Sequence, residues 1–537
     1  MSQKFFILLV IVFVSLTAAN CIAAKPYPAE VWLHYSKPEQ AGVLAEKLRK
    51  AEQLYQQHAF ANVLVIKNGV IALDWGESRR RFPSHSIRKS LLSALYGVHS
   101  AQIDFQATLT ELNITDTPPL TEQERMATLF DVLASRSGVY LPAVAEISNM
   151  TQERPARGSH PAGQYWWYNN WDFNVAGTLY RQLTGEEIFS AFAAHLAKPL
   201  QLEDYREFDG YYLKLESEHA AFQFRMSSRD LARIGLLYAR EGNWRGQQII
   251  PSAWIKQSTE AISQTNMGAK YPAGYGLSWW VDSNKSFSAR GAGGHVLAVY
   301  PEQDLVIVLR VNSYLDQSVS QSAIKHLLSR LELAMQGPVD ANPELSPAKQ
   351  DVADERFLPP RYQLAEASIS LLSGQVVTLK QRQGRLFINY GRGDFALSYV
   401  NDDRFVIADL NEPLQLELDS AGTLTDILTP RVFYLRAAEA AKSGDLTQAQ
   451  KWVQRVIDMM PDSSMAYTNL AKVLLAQERN QDARKAVDIA LQLDPDNKLA
   501  ANLQQSLLLN AWLLPGLSIA LILMLLWLVI KRRSRRL

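Results

Sequence analysis

Strand-like alternation occurs at two places far apart in this chain, and that separation limits the folds open to it. From Val63 to Asp74 the sequence reads VLVIKNGVIALD, two alternating apolar runs around Asn68-Gly69, the strongest short-range hairpin signal. From His295 to Val311 it reads HVLAVYPEQDLVIVLRV, with a further strand expected in YGLSWWV before it. Between them lie TLFDVLASRSGVYL and a helical stretch from Ser227 to Glu241, with a serine start and apolar Leu231, Ile234, Leu236 and Leu237. A helix in SQSAIKHLLSRLELAM closes the unit. Strands at both ends and helices between them predict an α/β sheet whose edge and centre come from distant parts of the chain.

At 537 residues the chain is too long for one ordinary domain, and its 47% hydrophobic, 20% charged make-up is that of a globular protein. Residues 341–360, rich in Pro, Ala and charge, read as a linker after a first domain over 25–340. Residues 361–430 carry short alternating stretches such as QVVTLKQRQGRLFINYG, which predict a small all-β domain without a catalytic grouping. From 431 to 510 the pattern turns helical and repeats: Pro461 and Pro495 stand 34 residues apart, and Phe433, Ala449 and Val453 match Tyr467, Ala483 and Val487. That period resembles tetratricopeptide repeats, whose helix pairs bury their faces by stacking. Two repeats are few, so a third helix in NKLAANLQQSLLLN or the β domain is expected to cover them. A peptide-binding surface and a spacer are both open readings of 431–510.

The chain ends suggest an address. Residues 1–24 combine an early lysine, an apolar run from Phe5 to Leu16 and small residues before Lys25, the build of a cleavable secretory signal. Residues 511–530 form an uncharged apolar run of membrane-spanning length, followed by the basic tail KRRSRRL at 531–537. Positive flanks stay cytoplasmic, so the expectation is a single-pass protein of the bacterial inner membrane with its catalytic domain in the periplasm or outside the cell. Cys21 is the only cysteine and lies inside the signal, which leaves a mature chain without disulfides, thiol nucleophiles or cysteine metal sites. A formal charge of +1 and no basic stripe before the C-terminus speak against nucleic acid as a partner.

Chemistry is suggested first by SHSIRKSLLSALYG, in which Ser86 and Lys89 stand one turn apart. Ser-x-x-Lys is cheap, since Ser322/Lys325 and Ser346/Lys349 match it too. Ser86 differs by following a hairpin and opening a helix, where free N–H groups and the helix dipole favour an oxyanion. Lys89 lies on the same face, within reach of the hydroxyl, and acts as a base only if burial or nearby positive charge keeps it neutral. A second element, PAGQYWWYNNWDF, holds Tyr168, Asn169 and Asn170 in an aromatic loop before a helix. A third, SARGAGGHVLAVY, is a Gly-rich turn whose backbone can approach a substrate closely, and no Gly-Lys-Ser/Thr makes it a phosphate loop. No Gly-x-Ser-x-Gly elbow and no His-Glu-x-x-His pair occur. His85, beside the serine, reads as a cap or packing residue.

In this order, SIRKS, LASRSGVY, YNN, MSSRDLARIGLLYAREGNWRGQQIIPSAW and GGHVLAVYPEQDLVIVL resemble the serine β-lactamase and penicillin-binding-protein-like hydrolases, especially the class C β-lactamase and esterase branch. The resemblance implies a β-lactamase/transpeptidase-like α/β domain, an antiparallel sheet with helices on both sides. It also implies Ser86 as acylated nucleophile, Lys89 as base, and Tyr168 as the group that assists deprotonation and passes a proton to the leaving group. Asn170 would hold the substrate amide or the lysine, and the oxyanion hole would use the N–H of Ser86 plus one near Ala292, beside Gly291. The family's third motif is usually Lys-Thr-Gly or His-x-Gly, whereas the matching place here reads Ala289-Arg290-Gly291, so the first-position cation is missing. Arg290 and His295 are the candidates to replace it. The expectation is a serine hydrolase that uses no cofactor or metal and acts through an acyl-enzyme on a small-molecule or peptide-like ester or amide. The alternative is a non-catalytic ligand-binding or scaffold protein that recruits partners through its repeats.

Overall fold

The computed structural model describes residues 26–146, 148–213, 218–315, 317–348, 362, 366–370, 376–382, 385–391, 393–401, 404–410 and 412–507. The expected signal at 1–24, the membrane span at 511–530 and the basic tail at 531–537 lie outside them. Among the described residues no helix is long and apolar enough to cross a membrane. The chain divides into two compact units, Met1–Asp351 and Val352–Leu537.

The first unit is organised by one ten-stranded sheet. Phe60–Lys67 and Val70–Gly76 form the expected hairpin, turning through Asn68 (φ 52°) and Gly69 (φ 79°). Two successive left-handed residues make the turn whose twist matches the flanking strands, which is why Asn-Gly occupies it. On its other side Phe60–Lys67 pairs antiparallel with Leu305–Val311, from Lys67 opposite Leu305 to Phe60 opposite Val311. The sheet continues through His295–Tyr300, Phe287–Gly291, Trp280–Val281 and Gly274–Tyr275 to the edge at Ser263–Gln264. Beyond the hairpin come Leu33–Tyr35 and Leu345–Pro347. Every pairing is antiparallel except that of Leu33–Tyr35 with Val70–Gly76. The stretch read as a linker thus opens with an edge strand, held by pairing of Leu33 with Pro347 and Tyr35 with Leu345.

Successive strand residues face opposite sides, and both sides here are apolar. Leu64, Ile66, Leu297, Val306 and Val308 enter a core with Leu91 and Leu95 of the helix Ile87–Val98 and Leu231 and Leu237 of the helix Ser228–Ala239. Val63, Val65, Val296, Ile307 and Leu309 enter a second core with Ala51 of the helix Ala45–Gln57 and Ile324, Leu327 and Leu331 of the helix Gln321–Ala334. Helices therefore cover both faces. Ser227 caps the helix Ser228–Ala239 by accepting from the Asp230 N–H, and the left-handed pair Glu241 (φ 52°) and Gly242 (φ 80°) turns the chain away after it.

The second unit begins with a seven-stranded antiparallel sheet in chain order, from Ala367–Ser370 to Leu424–Leu428, as short alternating strands with tight turns require. Four helices follow, Pro430–Lys442, Leu446–Met459, Ser464–Ala476 and Asn480–Leu493. The matched small residues Ala449 and Ala483, and Val453 and Val487, are all buried. Residues 498–507 are helical and bring Leu503 and Leu507 onto Ala471, Leu474 and Val487, the covering helix the repeat needed. Asn497 locks it: Nδ2 donates to Ser464 Oγ (2.7 Å) and Thr468 Oγ1 (3.0 Å), while Oδ1 accepts from the N–H groups of Leu499 and Ala500. Replacing Asn497 by Ala removes a helix cap and two buried bonds and is expected to cost about 1–2 kcal/mol. Amide exchange should then quicken in 498–507 while the sheet of the first unit keeps its protection.

Candidate active site

Ser86 stands at the N-cap of Ile87–Val98, directly after His85, whose φ of 47° lies in the left-handed region. A non-glycine residue held there is strained, and the strain is borne by what surrounds it. Facing it across the sheet end is Gly291, where a Cβ would come 2.7 Å from the Ser84 carbonyl oxygen and 3.2 Å from the His85 Cβ. Glycine is thus required by close approach. Further along the helix, Ser90 Oγ donates to the Ser278 carbonyl (2.6 Å) and Ser93 Oγ to that of Leu277 (2.8 Å), which fixes the helix rotation and hence the aim of Ser86 and Lys89.

Lys89 is 2% exposed, and its Nζ donates to Ser86 Oγ at 2.9 Å and to the Tyr168 hydroxyl at 2.7 Å. The faces of Tyr168 and Phe173 lie 4.1 and 4.3 Å from the nitrogen. Burial, aided by the Arg88 guanidinium, holds its ammonium well below a lysine's ordinary range. Burial likewise pushes the Tyr168 phenol up to about 12, although nearby Ser86 and Arg88 oppose it. A proton-poor lysine and a proton-rich phenol therefore flank one serine hydroxyl. Neither the Ser86 N–H nor the Ala292 N–H donates to a protein acceptor among the described residues.

Asn169 proves to be a positioning residue for this loop. Its Oδ1 caps the helix Asn170–Thr184 through the Trp171 N–H, and its Nδ2 donates to the Val139 carbonyl and to Asp172. Burial pushes the Asp172 carboxyl well above the usual range, and Ser137 and Asn169 donate to it. Asn170 Nδ2 donates to the Ala145 carbonyl (2.6 Å), and its buried Oδ1 has no partner among the described residues. Its hydrogen bond goes to that loop rather than to Lys89.

The two candidates for the missing cation are placed elsewhere. Arg290 alternates onto the sheet face of its cross-strand partner Val296, and its guanidinium donates to Ser288 Oγ (3.0 Å) and Gln321 Oε1 (3.4 Å). Ala289 beside it is wholly buried in the opposite core. His295 is also wholly buried, its Nδ1 accepting from Arg310 Nε at 2.9 Å. Its ring lies 5.1 Å from that of His85, whose Nε2 is 3.0 Å from Ser313 Oγ. Arg310, next to the irregular register of its strand, also donates to the carbonyls of Met226, Phe82 and Pro83. Burial and this guanidinium hold His295 well below the ordinary imidazole range and His85 down to about 4. Both are neutral near pH 7 and support the left-handed backbone before Ser86.

Arg136, within LASRSGVY, has no role legible in the sequence alone. Arg136 lines a cleft of about 310 Å³ with Gln164, Tyr165, Trp166 and residues 262–266, and its Nε has no hydrogen-bond partner among the described residues. Trp166, in the wall of that cleft, packs 6.4 Å from Tyr168 between ring centroids. An arginine preceding a Ser-Gly turn carries no local signal of this, because the cleft's other wall comes from over a hundred residues later.

The low pKa of His85 has a definite sign. Between pH 6.5 and about 4 the unfolded chain takes up a proton that the folded chain refuses, so this part of the stability is complete above 6.5 and is lost as pH falls towards 4. His85→Asn tolerates the left-handed backbone and lacks the titration. The difference in melting temperature between the native chain and this variant should therefore change steadily across that window, and a constant difference would exclude the buried neutral imidazole.

Residues 51–328 match the beta-lactamase family model and residues 440–507 a tetratricopeptide repeat model. An uncharacterized protein of Alkalihalophilus pseudofirmus is 26% identical over 117 residues, 19% of this chain, and the match spans about a third (34%) of that relative's length. Among solved structures, a penicillin-binding protein homolog from Caulobacter crescentus aligns with TM-score 0.42 and 13% identity over 55% of this chain and 99% of its own. A family VIII carboxylesterase aligns with TM-score 0.41 and 14% identity over 55% and 99%. An octameric penicillin-binding protein homologue from Pyrococcus abyssi aligns with TM-score 0.41 and 12% identity over 71% and 94%. With its first family model spanning more than half of the residues, and with Ser86 and Lys89 in hydrogen-bond contact within that span, this chain belongs to the beta-lactamase family and carries a tetratricopeptide region behind its hydrolase-type domain.

Proposed function

We propose that this protein is a membrane-anchored, extracytoplasmic serine hydrolase that cleaves an ester or amide through an acyl-enzyme on Ser86. The observation that carries the reading is the buried, proton-poor Lys89 in hydrogen-bond contact with both Ser86 and Tyr168. Lys89 takes the Ser86 proton as Oγ attacks the substrate carbonyl carbon, and the N–H groups of Ser86 and Ala292 receive the developing oxyanion. As the bond to the leaving group breaks, the Tyr168 hydroxyl gives it a proton and is reprotonated from Lys89. Water, deprotonated by the same pair, then attacks the acyl ester and restores Ser86.

The absent cation at Ala289 argues against a β-lactam or a D-alanyl peptide as the substrate and favours an esterase or amidase. In this reading Arg136 supplies the positive charge from the neighbouring cleft, and Tyr165 and Trp166 offer apolar contact, so the preferred acyl part is apolar and bears a carboxylate. The apolar run at 511–530 would hold the protein at the membrane, with the domain at 25–340 outside the cytoplasm. The repeats at 431–510 would bind a peptide partner or set the distance from the bilayer.

A fluorophosphonate should label the protein once, and Ser86→Ala should abolish labelling. Lys89→Ala should slow acylation by about 10²–10⁴-fold without unfolding the domain. The acylation rate should fall as pH drops through the lowered pKa of Lys89, because the ammonium cannot accept a proton. Arg136→Gln should raise KM about tenfold for a carboxylate-bearing p-nitrophenyl ester and leave kcat nearly unchanged. Labelling that survives in Ser86→Ala removes Ser86 as nucleophile, and a native protein that never labels returns the non-catalytic, ligand-binding scaffold.

A further inference from the structure

At the opposite end of the Ser86 helix three donor side chains converge. His99 is the residue that caps the C-terminus of Ile87–Val98, about 20 Å along the axis from Ser86 at 1.5 Å per residue. His195 lies in the π-helical turn Ala193–Ala197 that continues Ile188–Phe192, and Glu186 lies just after Gly185, the left-handed cap of Asn170–Thr184. One ligand atom from each lies within 4.8 Å of the others, with His195 Nε2 and Glu186 Oε2 at 2.8 Å. The rings of His99 and His195 stand 5.0 Å apart at 89°, and the edge of Tyr180 packs against His99. We propose that His99, Glu186 and His195 form a binding site for a divalent transition-metal ion of the Zn²⁺ class.

Four observations point to a ligand. The His99 Nε2 is buried and has no hydrogen-bond partner among the described residues, an expensive state for an imidazole nitrogen and one that a metal bond relieves. The π-helical turn inserts an extra residue and re-aims His195, and such turns are frequent at functional sites. The C-terminal end of a helix carries partial negative charge, so the last turn of Ile87–Val98 favours a cation beside it. The side chains of His195 and Glu186 are 33% and 38% exposed, which leaves a path for a hydrated ion.

The donor set selects the class of ion. Two imidazoles and one carboxylate suit Zn²⁺, Cu²⁺ or Ni²⁺, whereas Ca²⁺ and Mg²⁺ prefer oxygen alone. Bonds of about 2.0–2.2 Å in a tetrahedral arrangement place donor atoms roughly 3.3–3.6 Å apart. The present spacing reaches that by small side-chain rotations, with the hydrogen bond between His195 and Glu186 giving way to bonds to the ion. Water would fill the fourth position. The ion would tie the end of the Ser86 helix to two other helical segments, so its effect is on rigidity and stability, independent of whether Ser86 reacts.

The test uses the full chain, stripped with a chelator and titrated with Zn²⁺ by calorimetry and with Co²⁺ by its visible absorption. We expect one ion per chain, a rise in melting temperature on binding, and affinity that weakens as pH falls through the imidazole range because protons compete. His99→Gln and His195→Gln should each weaken Zn²⁺ binding on the order of 100-fold, and Glu186→Gln less. Metal-free melting temperatures of the variants, compared with that of the native chain, separate loss of the site from misfolding. The proposal is overturned if the stripped native chain binds no Zn²⁺, or if the His99→Gln/His195→Gln double variant folds and still binds one ion with native affinity.

Discussion

Pairing of Phe60–Lys67 with Leu305–Val311 is the contact on which the first unit rests. It joins segments from the two ends of a domain, and the loop between them is closed at an entropic cost that grows with its length. The entropy lost in closing so long a loop is repaid only when both sheet faces are covered, and here neither face is left to water. The same closure brings the Gly291 turn, two strands away, against the backbone of Ser84 and His85. The geometry around Ser86 therefore depends on the closed sheet.

Much of this was legible. Asn68-Gly69 demanded left-handed residues between alternating runs, and the hairpin follows directly. Ser86, Lys89 and Tyr168 were picked out by type and order, and they meet because a helix places residues three apart on one face while an aromatic loop supplies the third group. The repeat at 431–510 could be read because Ala449 and Ala483 need the same small volume at the same place. The faces of strand residues were harder. Whether Arg290 or Ala289 turns towards the serine depends on register across Phe287–Gly291 and His295–Tyr300, and a shift of one residue exchanges them. Arg136 and the cluster at His99 could not be read at all, since their partners are distant in sequence and one is aimed by a π-helical turn.

The histidines illustrate how context decides chemistry. His85 and His295 lie beside Ser86, yet desolvation and the Arg310 guanidinium keep both neutral, Arg310 donating to His295 Nδ1 while His85 pairs with Ser313. His99 and His195 lie far from Ser86, His99 with an unpartnered Nε2 and His195 with the Glu186 carboxylate at hand. Proximity to Ser86 is therefore a poor guide to what an imidazole does, and the charged groups that surround it are a better one.

The two aromatic faces over Lys89 have a consequence beyond keeping water out. A purely apolar pocket would make a lysine neutral and leave it so, because the ammonium would have nowhere stable to form. Ring faces are negative at their centres, and at 4.1 and 4.3 Å they lower the energy of a transient positive charge without offering it a permanent counter-ion. In the proposed reaction this lets Lys89 take up a proton and give it back, since burial keeps it poor in protons and the rings moderate the cost of holding one.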